Sequence, residues 1–495
     1  MREDWIEALL PDVCEIKDNL RKPINNKERS KRIQGKSIDE LYPYYGATGK
    51  VGYIDDYLTD GEFVLVGEDA APFLDYTKDV AYIIKGKTWV NNHAHILKSN
   101  FNDKYLCHYL NQFPYKDYVS GTTRLKLTQG AMKRMPVIVA PLPEQRAIVA
   151  KIEQLFSELD NGIANLSMAQ EQLKVYRQAV LKKAFEGGFT TEWREKQTDY
   201  ATINKLLEQL SKERQDFYKE QIEEWKKAVK EWEIGGKKTK KPSRISKPKE
   251  FAKVKLSDVE DYDSLPGNWA WSRFGSITYK VGDIDHKMPK TVPNGMPYLS
   301  TGNIGKDGKV DFENAKLISK EDFKRLALKI KPQKGDIIFP RYGTIGRNIL
   351  IDFEKEFLVS YSCAIIKNIT KLMDEKFILY YSLSPVIKKE IKKYTVETTQ
   401  ANIGIASIEM FVFPLCPLEE QHQIVQEIES RLSVCDKVEE IIAVNLQKVE
   451  ALRQSILKKA FSGELLTDAE IAACKKEKDW EPARELLKRI KKEKN

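Results

Sequence analysis

The chain has 495 residues, which is too long for one ordinary hydrophobic core, so we expect several domains. Its hydrophobic share of 41% is that of a globular protein, whereas 31% charged residues is above average and fits long exposed helices. The formal charge of +9 favours a polyanionic partner. No apolar run approaches the roughly 18 residues of a membrane span, the N-terminus lacks the apolar core of a signal peptide, and the six cysteines never approach a CxxC spacing. We therefore expect a soluble cytoplasmic protein without a membrane partner.

Residues 1–140 have the pattern of a mixed α/β domain. Short β-rich runs at Phe63–Val66, Val80–Ile84 and Val137–Val139 alternate with turns rich in glycine and asparagine. One helix is predicted at Lys104–Asn111.

Two loops of this domain contain residue types that contact nucleic acids. Glycines let backbone N–H groups approach a phosphate, while Thr, Arg and Lys side chains reach phosphates or base edges. The candidates are Tyr45, Gly46, Thr48 and Lys50 in the first loop, and Thr122, Thr123, Arg124 and Lys126 in the second. The alternative is that both are turns whose glycines serve backbone geometry.

Two long segments, 141–187 and 417–463, repeat one another. The offset of 276 residues holds without a gap from Pro141 and Pro417 to Phe185 and Phe461, so the chain contains an internal duplication. Each segment has apolar residues three or four apart, begins at a proline-rich entry and ends at a glycine, which predicts a helix. From Glu144 to Glu186 such a helix would be about 65 Å long.

A helix of this length with a nearly continuous apolar stripe needs a partner. The simplest partner is its own copy, and the alternative is that each helix packs against its own domain. The residues predicted to pack between the helices are Ile148, Ile152, Leu159, Leu166, Leu173, Tyr176, Ile424, Ile428, Leu432, Ile442, Val449 and Leu452.

The connection between the repeats, 188–264, is a charged helical pattern to Trp232 followed by a basic linker. Clustered lysines and prolines bury no core, so the linker is either a solvated tether or a contact to a phosphate backbone. Leu206–Glu213 resembles Leu486–Glu493, so the tail, 464–495, repeats part of this connection.

Residues 265–416 form a second α/β domain with the same order of features as the first. A helix is predicted at Asp374–Ser384, the segment Glu397–Asn402 falls opposite Gly121–Lys126 of the first domain, and a further loop lies at Arg341–Arg347. Arginine, hydroxyl and amide side chains can hydrogen-bond to guanine edges or to phosphates where the protein backbone approaches the DNA closely. The candidates are Arg341, Tyr342, Gly343, Thr344, Arg347, Thr398, Thr399, Gln400 and Asn402.

Catalytic motifs are missing from the sequence. It contains no GxxxxGK[ST] phosphate loop, HExxH or GxSxG motif, and no methylase motif of the NPPY or DPPY type. His93 and His95 share one face of a predicted strand, for which a structural role is favoured over a metal site. We predict neither catalytic nor metal-ligating residues, and interpret the chain as a recognition subunit.

The motifs resemble the DNA-specificity subunits of type I restriction-modification systems over nearly the whole chain. The residues that carry the resemblance open and close the two helices and begin the second half: Pro141–Gln145, Pro417–Gln421, Leu181–Phe185, Leu457–Phe461, Gly463–Leu466, Glu192–Arg194 and Leu265–Trp269. The charged segment 200–250 is longer than the compact connection expected of the family.

The resemblance implies an α+β fold with an internal pseudo-two-fold repeat. Target-recognition domains at 1–140 and 265–416 would each read half of a bipartite double-stranded DNA site, separated by the antiparallel coiled-coil helices. It also implies two modification subunits that bring S-adenosylmethionine and methylate adenine, and ATP- and Mg-dependent restriction subunits where the system has them. No cofactor is expected on this chain. The rival hypothesis is a coiled-coil scaffold whose globular domains bind proteins.

Overall fold

The computed structural model describes residues 2–197, 202–237, 241–242, 244–284, 286–305, 308–395 and 401–494. None of its helices is long and apolar enough, within these ranges, to cross a membrane.

The first domain combines nine strands with four helices. In chain order they are β1 Ile6–Leu9, α1 Leu10–Val13, β2 Cys14–Ile16, α2 Asn26–Ile33, β3 Tyr42–Gly46, β4 Gly49–Ile54, β5 Phe63–Gly67, β6 Ala81–Ile84, β7 Trp89–Val90, β8 Ala94–Ser99, α3 Asp103–Gln112, α4 Gln129–Met132 and β9 Pro136–Val139. An antiparallel sheet has the order β2-β8-β5-β6, a second sheet has the order β4-β3-β7, and β1 pairs with β9. The strands and the helix predicted from sequence are present, with ends shifted by a residue or so.

The first long helix and the connection follow. They are α5 Leu142–Phe185, α6 Thr191–Lys196 and α7 Ile203–Ile234. Helix α5 ends as the sequence predicted, because Gly187 adopts a φ of +73° that favours glycine and its N–H donates to the Ala184 carbonyl.

The second domain has the same sheet plan as the first. Its elements are β10 Ala270–Arg273, β11 Thr278–Gly282, β12 Thr291–Leu299, β13 Lys316–Ile318, α8 Lys320–Ala327, β14 Ile337–Pro340, β15 Ile349–Leu350, β16 Leu358–Val359, β17 Cys363–Asn368, α9 Glu375–Leu383, α10 Pro385–Tyr394, α11 Ile405–Met410 and β18 Val412–Leu415. The sheet β11-β17-β14-β15 corresponds to β2-β8-β5-β6, and β13-β12-β16 corresponds to β4-β3-β7, including its one parallel pair. The duplication therefore extends to the domains, where the sequences have diverged.

The chain ends with α12 Leu418–Ser462, α13 Asp468–Cys474 and α14 Ala483–Lys494. It divides into two compact units, 1–169 with 440–495 and 170–439. Each unit thus contains one domain together with part of each long helix.

Within each unit the two long helices pack in antiparallel fashion. In the first unit, Ile148 and Ile152 of α5 share a core with Leu457 and Phe461 near the end of α12. In the second unit, Val180 and Leu181 near the end of α5 share a core with Ile424 and Ile428 near the start of α12. In both units this core continues into the adjacent domain, so each helix packs against its copy and against a domain at once. The two alternatives considered from the sequence therefore both apply.

The predicted helix-packing residues fall into three groups. Ile148, Ile152, Ile424, Ile428, Ile442 and Val449 are buried, and Leu159, Leu166, Leu173 and Leu432 are half-buried. Tyr176 and Leu452 are 46% and 49% exposed, so the prediction that they pack between the helices is wrong.

Ion pairs cross between the helices next to these two exposed residues. Arg177 donates to Asp436 at 2.6 Å and to Glu439 at 3.1 Å, and Arg453, which occupies the equivalent position in the repeat, donates to Asp160. A straight helix drifts by about 20° per heptad from an ideal 3.5-residue stripe. An arginine one position further on therefore faces the partner helix instead of the predicted apolar residue.

Each long helix also carries a fully buried glutamate in its first turn. Glu144 accepts a hydrogen bond from Trp5 at 2.8 Å, and its equivalent Glu420 accepts one from Trp269 at 2.9 Å. Glu420 also accepts from Arg194 at 2.6 Å, whereas the nearest cation to Glu144 is Arg2 at 3.9 Å. The two copies therefore keep the same anchor between helix and domain, with different charge compensation.

The difference between the two anchors predicts unequal effects of the same substitution. Glu420→Gln leaves the Arg194 guanidinium without its charged partner, and we expect it to destabilise the second unit by about 3 kcal/mol. Glu144→Gln keeps an acceptor for Trp5 and should cost about 1 kcal/mol. Hydrogen exchange in peptides from 265–416 and from 2–140 reports each unit separately. Equal destabilisation of the two units would contradict the assignment of Arg194 as the decisive partner.

Candidate DNA interface

The loop after the central strand β14 contains the arginine-rich sequence of the second domain. Gly343 and Gly346 have φ values of +67° and +90°, which turn the backbone sharply between β14 and β15. Tyr342 forms an isolated antiparallel bridge with Asn402, and the Gly343 N–H donates to the Ala401 carbonyl at 3.3 Å. The structure thus brings two predicted segments together. Thr398, Thr399 and Gln400 lie outside the described residues.

Arg341 is buried at the start of this loop, with only 4% of its surface exposed. Its guanidinium donates to the Ile403 carbonyl at 3.0 Å, to Asp283 at 2.6 Å and to the Tyr361 carbonyl at 2.7 Å. A guanidinium with these partners holds the two segments in place and is not available to a base edge. We correct the predicted role of Arg341 to a positioning role.

The exposed part of the loop contains different side chains. Gly343 and Arg347 are exposed, and Tyr342 and Thr344 are half-buried. The Tyr342 ring lies edge-on to Tyr361, and His286 stacks on Tyr361 with ring centroids 4.8 Å apart. These groups combine an exposed arginine with aromatic faces and a close backbone, which suits contacts to phosphates and bases.

The first predicted loop of domain 1 is the β3–β4 hairpin. Thr48 and Lys50 are exposed, whereas Tyr45 is half-buried against Tyr82. Gly46 is buried, and Val51 and Asn91 leave no room for a side chain at this position. Lys50 lies over the Tyr53 ring and donates to its hydroxyl at 2.6 Å. The hairpin therefore offers a hydroxyl and a cation at its tip, with Tyr45 and Gly46 shaping the turn.

The second predicted loop of domain 1 is closed by backbone pairing between Ser120 and Lys126. Thr122 and Thr123 are exposed. Arg124 donates to Asp69 at 3.0 Å, and Lys126 lies 3.1 Å from Glu68. Both predicted cations are therefore held by carboxylates of the segment that follows β5.

These carboxylates belong to a network that reaches into the domain. Glu68 also accepts from Arg21 at 2.5 Å and lies 3.8 Å from His95. Burial alone would raise the pKa of Glu68, but hydrogen bonds from Arg21 and Lys126 outweigh it and lower the pKa. His95 bonds to Asp18 and to the Leu127 carbonyl, which is the structural role expected from the sequence.

The candidate loops occupy equivalent places in the two domains. The segment after β5 in domain 1 corresponds to the segment after β14 in domain 2, since these strands hold the same position in their sheets. In domain 1 the Ala70 N–H donates to the Leu125 carbonyl, as Gly343 does to Ala401 in domain 2. A Cβ atom at Gly67 would lie 3.0 Å from the Ala47 carbonyl oxygen, so the β3–β4 hairpin tip also lies beside this segment.

Several residues of these sites were missed from the sequence. Asp69, Glu68 and Arg21 in domain 1, and Asp283 and Tyr361 in domain 2, come from segments far from the loops that they contact. An isolated acidic residue carries no local signal of this kind. The only hint in the sequence was the pair Glu68-Asp69 directly after a predicted strand.

A duplicated chain with equivalent, diverged loops on paired helices is the architecture of a two-site recognition protein. A family model described as the type I restriction modification DNA specificity domain matches residues 2–166 and 266–450, one match for each repeat. The chain belongs to this family and is a DNA sequence-recognition subunit of a type I restriction-modification system. The expectation drawn from the motifs is confirmed.

Individual relatives are similar over most of the chain. A Haemophilus influenzae protein assigned as the type I restriction enzyme specificity subunit S.HindORF215P is 25% identical over 433 residues, covering 87% of this chain and 86% of that protein. The EcoBI specificity subunit of Escherichia coli is 26% identical over 352 residues, covering 70% of this chain and 62% of that protein. A solved structure from a study of complex assembly and conformational transition of the type I R-M system shares the fold, with a TM-score of 0.55, 16% identity and coverage of 94% and 99%.

The two arginines of the domain 2 loop should respond differently to substitution. Arg347→Ala removes an exposed cation and should weaken binding to one half-site by about 1–3 kcal/mol, without lowering the melting temperature. Arg341→Ala removes the 2.6 Å partner of the largely buried Asp283 and the hydrogen bonds to two backbone carbonyls, with Lys329 at 3.5 Å left beside that carboxylate, and should lower the melting temperature first. Duplex binding by fluorescence anisotropy, beside thermal melting, separates the two. A stable, fully folded Arg341→Ala protein with relaxed specificity would restore Arg341 as a base contact.

Proposed function

We propose that this chain binds an asymmetric, bipartite double-stranded DNA site, with one half read by each domain, and docks two modification subunits that methylate adenine. The observation that carries the proposal is the duplication: one sheet plan occurs twice, with loops in equivalent places and different chemistry at each. Two domains with the same fold and different loop surfaces suit two different half-sites.

The difference between the loops supports asymmetry. In domain 1 the cations Arg124 and Lys126 are paired with the carboxylates of Asp69 and Glu68. A phosphate or a base edge that binds these cations must therefore displace the carboxylates or bind beside them. In domain 2 the loop after β14 contains the exposed Arg347 and also Tyr342, whose ring contacts Tyr361. The two surfaces therefore present different donors and acceptors to a base pair.

Docking of two identical partners is supported by apolar residues exposed on the long helices. Met168 and Tyr176 of α5 are 58% and 46% exposed, and their equivalents in the repeat, Val444 and Leu452 of α12, are 42% and 49% exposed. Exposed large apolar residues at repeated positions are typical of an interaction surface present in two copies. Two copies of one surface fit two copies of one partner.

The chemistry is assigned to the partners. The modification subunits bind S-adenosylmethionine and flip the target base, and restriction subunits, where the system has them, use ATP and Mg. This chain contributes binding and orientation and needs no cofactor of its own. A protein-binding scaffold, the rival hypothesis, gives no reason for cations at the candidate loops of both domains.

Methylation mapping tests the proposal directly. We expect a host that carries this chain with its modification subunits to contain methylated adenines in one split motif, with unrelated sequences in the two halves. Single-molecule sequencing detects these adenines. A palindromic motif, or methylation that does not change when the domains 1–140 and 265–416 are exchanged for those of a relative, would contradict it.

A second test concerns the helices as the determinant of half-site spacing. Removal of four residues at equivalent places, Ala164–Ser167 from α5 and Glu440–Ala443 from α12, shortens each helix by about 6 Å, or nearly two base-pair steps. We expect a methylated motif with the same half-sites and a shorter gap. Deletion of four residues from the connection at Glu220–Glu223 is the control and should leave the gap unchanged. An unaltered gap in the helix variant would exclude the helices as the determinant.

A further inference from the structure

The connection between the repeats contains nearly all of the net positive charge of the protein. Residues 237–255 include nine Lys or Arg and one Glu, so the other 476 residues carry 73 basic and 72 acidic side chains. A charge excess confined to one short stretch indicates a local surface with a specific partner, because a general solubilising charge would be spread over the chain.

Residues 244–255, here called the basic segment, are held along the second domain. The N-terminal part of α7 packs through Leu206 and Leu210 into the core of this domain. Further along α7, Arg214 donates to the Lys249 carbonyl at 3.1 Å and lies over the Phe251 ring, which packs against Gly275. The basic segment therefore has a defined course, although it has no helix or strand.

The side chains of the basic segment alternate with a period of three. Ile245, Pro248, Phe251 and Val254 are half-buried, whereas Arg244, Lys247, Glu250 and Lys253 between them are exposed. An extended chain with three residues per turn places such residues on separate faces, with Arg244 about 9 Å from Lys247 and Lys247 about 19 Å from Lys253, because Glu250 takes the position between them. Phe251 of the apolar face packs against the domain at Gly275, and the charged face is exposed to solvent.

The three exposed cations have no carboxylate partner among the described residues, although Glu250 lies in the same segment. Lys249 is paired with Glu409, but Arg244, Lys247 and Lys253 form no ion pair within the described part of the chain. Protein interfaces need an apolar centre, which this surface has turned inward, whereas contacts to a phosphate backbone need positive charge alone. The surface thus fits a polyanion better than a protein.

The position of the basic segment favours the same DNA that the domain reads. Lys249 is paired with Glu409 in α11, a six-residue helix. This helix begins directly after Ile403, whose carbonyl accepts from Arg341 at the base of the candidate reading loop. The basic segment therefore passes one short helix away from that loop.

We propose that Arg244, Lys247 and Lys253 bind the phosphate backbone of duplex DNA next to the half-site read by the second domain, and add affinity without sequence preference. This inference rests on the proposed function as a DNA-binding subunit. It assigns a role to the part of the chain that exceeds the compact connection expected of the family.

The test compares the salt dependence of binding to duplex DNA. The triple variant Arg244→Gln, Lys247→Gln and Lys253→Gln should bind more weakly, and the slope of log affinity against log salt should fall by about 0.9 for each phosphate that the variant no longer neutralises, hence by about two to three. The probes are a 40-base-pair duplex with the methylated motif and one of scrambled sequence, with the full chain in complex with its modification subunits. The affinity for both duplexes should decrease by the same factor, so the specificity ratio stays constant.

Two controls accompany the triple variant. Lys476→Gln, Lys478→Gln and Lys492→Gln remove the same charge from exposed sites of the C-terminal tail and should keep the parent slope. Arg244→Lys, Lys247→Arg and Lys253→Arg keep the charge and should also keep it. A parent slope in the glutamine variant, or an equal fall in the tail control, would overturn the inference and leave the proposed function intact. Absence of duplex binding by the parent complex would instead refute the proposed function, and abolished methylation with an unchanged slope would show that the segment contacts a protein.

Discussion

The fold depends on the burial of two long apolar helical stripes that neither helix can cover alone. Helices of 44 and 45 residues would be unstable in isolation with such stripes exposed. In each unit, the start of one helix packs against the end of the other and against a domain, so that helix pairing and domain attachment share one core. The buried glutamates Glu144 and Glu420 add a polar anchor at each helix start, where their hydrogen bonds to Trp5 and Trp269 fix the helix to the first strand region of its domain.

This shared frame leaves the loops free to differ. The sheets of the two domains have the same strand order, but the cations of the candidate surfaces differ in their exposure and in their partners. In domain 1, Arg124 and Lys126 are exposed and pair with the half-buried carboxylates of Asp69 and Glu68. In domain 2, Arg341 is buried and bonded within the protein, whereas Arg347 is exposed. The residues that stabilise the shared frame are therefore not those of the exposed candidate surfaces, so these surfaces can differ without loss of the frame.

The contrast between Arg341 and Arg347 shows where reading a sequence reaches its limit. The two arginines lie in one loop of seven residues and have the same chemistry, so a pattern cannot separate them. Asp283 and the carbonyls of Ile403 and Tyr361, all distant in sequence, decide that Arg341 is satisfied within the protein. Tyr176 and Leu452 illustrate the same limit on the helices, since a small angular drift places the neighbouring arginines, and not these residues, across the pair.

The sequence by itself determined the duplication, the two long helices with their glycine ends, the α/β character of both domains and the family. These features follow from local periodicity and from a gapless repeat, which need no knowledge of distant contacts. Only the tertiary structure decided that the two domains share one sheet plan and which cations of the loops are already paired. It also decided that the basic segment lies along the second domain with its lysines turned outward. Each of these depends on contacts between residues far apart in the chain, and the free energy of such contacts has no imprint in any short stretch of sequence.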